Sequence, residues 1–170
     1  MTAFIALLRA VNVGGTGKLP MTDLKAICEA AGFERVQTYI ASGNVVFESE
    51  QPDIEVKAAL EAQLLAYAAK PIAVLVRTAA ETAAVLAANP FPDKAPNRTV
   101  AIFLSGPPPP DLLDGITGLN GEEILPGRRE IYVHYGNGMA DSKLKIPAAA
   151  TGTARNMNTV AKLAEMAGRR

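Results

Sequence analysis

The chain predicts an α+β fold that runs twice through one order of elements: β-α-β-β-α-β, then β-α-β-β-α. Three observations carry this expectation. Apolar runs of strand length recur along the sequence, and the segments between them place apolar residues at helical spacing. Gly, Pro, Asn and capping Thr stand at the junctions.

Residues 4–8 form a continuous apolar run, as in a strand buried on both faces. A Gly-rich loop follows over 13–19, and Pro20 sits where a helix begins. Met21, Leu24, Ile27, Cys28 and Ala31 then recur at helical spacing, and Gly32 fits the position just past the helix. Residues 36–40 and 45–47 read as two strands joined by the turn residues Ala41-Ser42-Gly43-Asn44. Asp53 is expected to cap a second helix, with Val56, Leu60, Leu64 and Tyr67 on its inner face and Pro71 as its stop. Residues 72–76 make the last strand of the first pass. Thr78-Ala79-Ala80-Glu81 has capping-box spacing and opens a short helix that stops near Asn89-Pro90. The second pass has strands at 100–104, 123–125 and 131–135, a stiff turn at 107–110, a short helix over 111–116 and a C-terminal helix over 158–167. No clear last strand is legible in it.

Residues 1–77 thus have the ferredoxin-like order, an antiparallel sheet with two helices on one face. Residues 99–170 repeat it incompletely, and 78–98 connect the two passes. No low-complexity linker separates the halves, so they are expected to pack together. They share almost no residue identity, and the duplication rests on element order. One larger mixed sheet built by both halves is the alternative.

The bulk composition narrows the function classes. A chain of 170 residues suits one domain or two small subdomains, and 49% apolar with 20% charged residues is the balance of a globular protein. No apolar run reaches membrane-spanning length. The N-terminal apolar run lacks a basic segment ahead of it and ends at Arg9, so it does not read as a secretory leader, and a cytoplasmic location is expected. Cys28 and His134 are each the single residue of their type, which excludes an internal disulfide and zinc sites built from Cys or His clusters. No metal or cofactor is expected. Residues 1–127 carry 9 Lys/Arg against 14 Asp/Glu, a net of −5, and residues 128–170 carry 8 against 3, a net of +5. Overall neutrality argues against tight nonspecific DNA binding but allows one basic pocket.

Several segments bear on chemistry. Asn12-Val13-Gly14-Gly15-Thr16-Gly17-Lys18 has the context of a phosphate loop, after a strand and before a helix. It departs from the Walker pattern at Asn12, where Gly is needed, and at Leu19, where a magnesium-holding hydroxyl is needed. A plain turn remains, or a simple anion cradle with Lys18 and backbone N–H groups. Arg9 reads either as a surface cap or as a cation at the mouth of a cleft. Ser42 and Asn44 are turn formers that also offer polar groups at the sheet's end. Lys143, in Asp141-Ser142-Lys143-Leu144-Lys145, reads as part of a solvated basic turn or as a wall for an anion. The stretch Thr151-Gly152-Thr153-Ala154-Arg155-Asn156-Met157-Asn158-Thr159 is polar or Gly at seven of nine positions and stands at the start of the last helix. Capping by Thr153, Asn156 or Asn158 explains one residue of it; Arg155 with the remaining Asn and Thr suits an anion at a helix N-terminus. His134, between Val133 and Tyr135, has no partner for a catalytic triad, and Cys28 reads as an inert core thiol.

These residues also carry a resemblance. Ala6-Leu7-Leu8-Arg9-Ala10-Val11-Asn12-Val13-Gly14-Gly15, Tyr39-Ile40-Ala41-Ser42-Gly43-Asn44-Val45-Val46-Phe47 and Arg155-Asn156-Met157-Asn158-Thr159 resemble the bacterial family called domain of unknown function 1697, as do Asn89-Pro90-Phe91 and Ser142-Lys143. The family pattern commonly has Gly in place of Ala10 and Trp in place of Met157; the second change removes a ring able to stack on a ligand. The resemblance implies a compact α+β fold of two related subdomains and implies no reaction. Its recurring polar positions fall on Arg9, Asn12, Ser42, Asn44, Lys143, Arg155, Asn156, Asn158 and Thr159.

The expected function is binding of an anionic ligand in a polar, locally basic cleft formed by these residues with Lys18. The ligand is a nucleotide, a phosphorylated metabolite or a short single-stranded nucleic acid; no membrane partner is expected. A guanidinium flanked by amides suits phosphate or carboxylate recognition. The rivals are a metal-independent enzyme acting on such a ligand and a protein-interaction module.

Overall fold

The structure is a computed structural model and describes residues 1–12 and 18–170. The Gly-rich loop expected over 13–19 falls for the most part outside the described residues. The elements are β1 (Thr2–Leu8), α1 (Met21–Ala30), β2 (Glu34–Tyr39), β3 (Asn44–Ser49), α2 (Asp53–Ala68), β4 (Val74–Thr78), α3 (Ala79–Ala87), β5 (Thr99–Phe103), β6 (Glu122–Pro126), β7 (Glu130–Tyr135), β8 (Thr153–Asn156) and α4 (Met157–Gly168). The strands form two four-stranded antiparallel sheets, β2-β3-β1-β4 and β6-β7-β5-β8, and not one large mixed sheet. The chain divides into two compact units, Met1–Ala83 with Leu163–Arg170, and Ala84–Lys162. No described helix is long and apolar enough to cross a membrane.

In the first unit α1 and α2 cover one face of the sheet. Leu24, Ile27 and Cys28 of α1 and Val56, Leu60 and Leu64 of α2 pack on Phe4, Ala6, Leu8, Val45, Phe47, Val74 and Val76. Phe33 stacks on Phe47 at 4.1 Å between ring centroids. Each fully buried side chain of this size contributes roughly 1.5–3 kcal/mol. The helix boundaries follow local chemistry. The end of α1 closes in a Schellman motif: the Gly32 N–H donates to the Glu29 carbonyl at 3.0 Å and the Phe33 N–H to Cys28 at 3.2 Å. Thr78 and Glu81 form the capping box of α3, with bonds of 2.9 and 3.1 Å in opposite directions.

Two expectations in this unit need correction. Asp53 does not cap α2; Pro52 holds the cap position, and Asp53 lies in the first turn, where its charge suits the helix dipole. Tyr67 is exposed, and its hydroxyl donates to Asp23 at 2.6 Å instead of joining the core.

Just after β1 ends the chain turns sharply. Ala10 and Asn12 both lie in the left-handed region, at φ +55° and +56°. Gly takes this backbone region without the strain that the Cβ of Ala10 brings. Gly43 is held against this segment: a side chain there would meet Val11 Cγ2 at 2.6 Å, and its φ is +87°.

In the second unit Val100, Ile102, Leu104, Ile131 and Val133 make one apolar face, covered by Leu112 and by the half-buried Leu144 and Ile146. Segments outside the α-helices cover this face. The helix expected over 111–116 is a set of turns closed by the Leu112 N–H to Pro109 carbonyl and Asp114 N–H to Asp111 carbonyl bonds. The left-handed Gly115 (φ +76°) interrupts the pattern, and a segment this short does not hold a helix by itself. The second pass also has the last strand that the sequence left out. β8 lies within the polar block and pairs with β5, Arg155 opposite Ala101 and Thr153 opposite Phe103.

Candidate functional site

The expected site residues divide by what their polar atoms already do. Asn12 is a bracket: its amide nitrogen donates to the carbonyls of Leu19 (2.9 Å) and Ala41 (2.8 Å), and its amide oxygen accepts the Leu19 N–H at 2.5 Å. It ties the two ends of the 12–19 segment to the β2–β3 turn. Asn44 is fully buried and donates to the Tyr39 carbonyl (2.9 Å) and to the exposed Ser42 hydroxyl (2.8 Å), which fixes the same turn. Arg9 and Lys18 are exposed.

In the polar block, Asn156 is the cap of α4: its side-chain oxygen accepts the Thr159 N–H at 2.9 Å. Asn158 is exposed and Thr159 buried. Met157 is buried and offers no surface for stacking. Arg155 is 7% exposed. One of its terminal nitrogens donates to the Thr153 hydroxyl (2.6 Å) and the Ala154 carbonyl (2.9 Å). Burial pulls the guanidinium down to about 10, which still leaves it charged at neutral pH. The alternation of the strand puts Thr153 and Arg155 on one face and Ala154 and Asn156 on the other.

Lys143 has a different setting. It lines a cavity of about 300 Å³ in the second unit, formed by the segment before β6 and the segment after β7. Leu119 and Asn120 come from the first segment and Glu122 from the start of β6; Asn137, Asp141 and Ser142 come from the second segment. Backbone and side-chain bonds lock the two together. Thr117 and Lys145 exchange backbone bonds of 3.2 and 2.9 Å. The Asn137 amide donates to the Asn120 carbonyl at 3.1 Å, and the Ser142 hydroxyl to Glu122 at 3.0 Å. Gly118, at φ +73°, lets the strands of backbone close up, because any Cβ there would run into the Lys143 carbonyl. The N–H of Asn120 holds the other Glu122 oxygen at 2.6 Å. These bonds, that from Asn120 first, pull the Glu122 carboxyl below its usual range and keep it ionised at neutral pH.

The sequence reading selected Lys143 and missed Asn120, Glu122, Asn137 and Asp141. Their signal was turn chemistry, Leu119-Asn120-Gly121 and Gly136-Asn137-Gly138, in segments some twenty residues apart. Among the described residues no three of His, Cys, Asp and Glu gather as metal ligands.

The fold has a counterpart among solved structures. The conserved bacterial protein SP0830 from Streptococcus pneumoniae superposes with a TM-score of 0.81 at 23% identity, over 99% of each chain. No curated protein matches the chain. The family match ends at residue 132, so Lys143 and the polar block lie beyond it. Residues 1–132 match the family described as "Protein of unknown function (DUF1697)", and the chain belongs to that family.

Proposed function

We propose that the protein binds a small anionic ligand in the cavity beside Lys143. The carrying observation is that an exposed lysine and the Asn120 and Asn137 segments face one walled space of about 300 Å³. That volume is at the lower end for ligand pockets and suits a phosphorylated metabolite better than a nucleotide. No aromatic or Arg side chain lines it to stack a base, which also disfavours a nucleic-acid strand. In this reading Lys143 supplies the charge, while Asn12, Asn44 and Asn156 hold the chain in shape. Two ferredoxin-like subdomains are part of the same proposal, supported by the matching strand orders of the two sheets. A cytoplasmic setting fits the single buried thiol.

The test is thermal unfolding of the wild type and Lys143→Ala against inorganic phosphate, sugar phosphates, nucleotides and a short oligonucleotide. A ligand at about 100 times its Kd adds roughly 2.7 kcal/mol, which raises the midpoint of a chain this size by about 5–10 °C. The expected result is such a rise with a small phosphate compound and its loss in Lys143→Ala. A rise that survives the substitution, or none with any compound, refutes the proposal.

The interaction-module reading has one observation in its favour: Leu113, Leu119, Leu125 and Met139, all in the second unit, are 42–63% exposed. Concentration-dependent self-association that Leu125→Ser abolishes is the result it requires.

A further inference from the structure

We infer that the ligand of the Lys143 cavity is zwitterionic, carrying a protonated amine beside its anionic group. The inference rests on the proposed binding function and names the class of ligand. The lining carries one ammonium, Lys143, and two carboxylates, Glu122 and Asp141. A purely anionic ligand drawn to Lys143 would meet repulsion from both acids at close range. The opposite charges of the wall do not cancel each other. Among the described residues neither Lys143 nor Asp141 is in an ion pair. Glu122 is held by the Asn120 N–H and the Ser142 hydroxyl, one on each oxygen. A carboxylate fixed in this way keeps lone pairs free for a cation and stays in place when one is absent. Charges of both signs, held apart in one small recess, complement a molecule that carries both.

The test uses O-phosphoethanolamine, the near-isosteric ethyl phosphate that lacks its amine, and ethanolamine that lacks its phosphate, each titrated calorimetrically into the full chain at pH 7.5. Asp141→Asn and Lys143→Ala serve as variants, and both replaced side chains are exposed. O-Phosphoethanolamine is expected to bind at least about 10-fold tighter than ethyl phosphate in the wild type. Asp141→Asn is expected to narrow that gap from both sides, weakening the zwitterion and strengthening ethyl phosphate. Ethyl phosphate binding as tightly as O-phosphoethanolamine, with dependence on Lys143, overturns the zwitterion and leaves the anion site standing. Binding of ethanolamine alone, or of no probe, overturns both.

Discussion

Replacing Asn12 with Ala should destabilise the first unit by about 2–3 kcal/mol, because one side chain closes three hydrogen bonds there. Each such bond contributes roughly 0.5–1.5 kcal/mol net. The two with Leu19 are partly buried, and the one to the Ala41 carbonyl is exposed and belongs at the low end of that range. The left-handed backbone at φ +56° adds to the loss, since Asn tolerates that region better than Ala. For a chain of this length the expected fall in midpoint is roughly 5–10 °C. Thermal unfolding by circular dichroism measures the total, and hydrogen exchange at the Leu19 amide measures the bracket itself. Ser42→Ala, which removes one acceptor of the Asn44 amide, is the control and should cost about 1 kcal/mol. A loss below about 1 kcal/mol in Asn12→Ala, with Leu19 protection unchanged, would refute the bracket. Asn12 would then return to the ligand-binding candidates.

Three further outcomes are expected. Asn156→Ala should cost about 1 kcal/mol and speed exchange of the Thr159 amide, whereas Asn158→Ala, at an exposed position, should stay within about 0.5 kcal/mol. Ala10→Gly should raise stability by up to about 1 kcal/mol, as relief of the left-handed strain outweighs the greater freedom of Gly in the unfolded chain; a lowered midpoint would count against that account. Burial, followed by the Glu29 charge, pushes the Cys28 thiol up to about 12. Alkylation of Cys28 at pH 8 should therefore track global unfolding. The unfolded thiol ionises near 9 and the folded one near 12, so the Cys28 contribution is full below pH 9 and is lost between pH 9 and 12. Rapid labelling of the native protein at pH 8 would contradict this.

Much of the fold was legible because its rules are local. Gly32 at the end of α1, the Thr78–Glu81 capping box and the Val56, Leu60, Leu64 spacing of α2 each depend on residues within one or two turns. β8 was not legible because its four residues, Thr-Ala-Arg-Asn, have no apolar alternation. Pairing with β5 makes them a strand, and that pairing crosses some fifty residues of chain. The 111–116 segment errs the other way: its spacing is helical, but it is short and the left-handed Gly115 within it leaves only turns.

The sequence by itself determined the order of elements, the absence of a disulfide or a Cys-based zinc site, and which polar residues deserved scrutiny. It could not decide their roles. An Asn that caps a helix, braces a turn or binds a phosphate is the same residue with the same local preference. Only the tertiary structure decides where its two donors and its oxygen are spent. The same reason separates Arg155 from Lys143. Pairing of β8 with β5 buries the first, and the Thr117–Lys145 bridge brings two distant loops together to put the second in a walled cavity with Glu122 and Asp141.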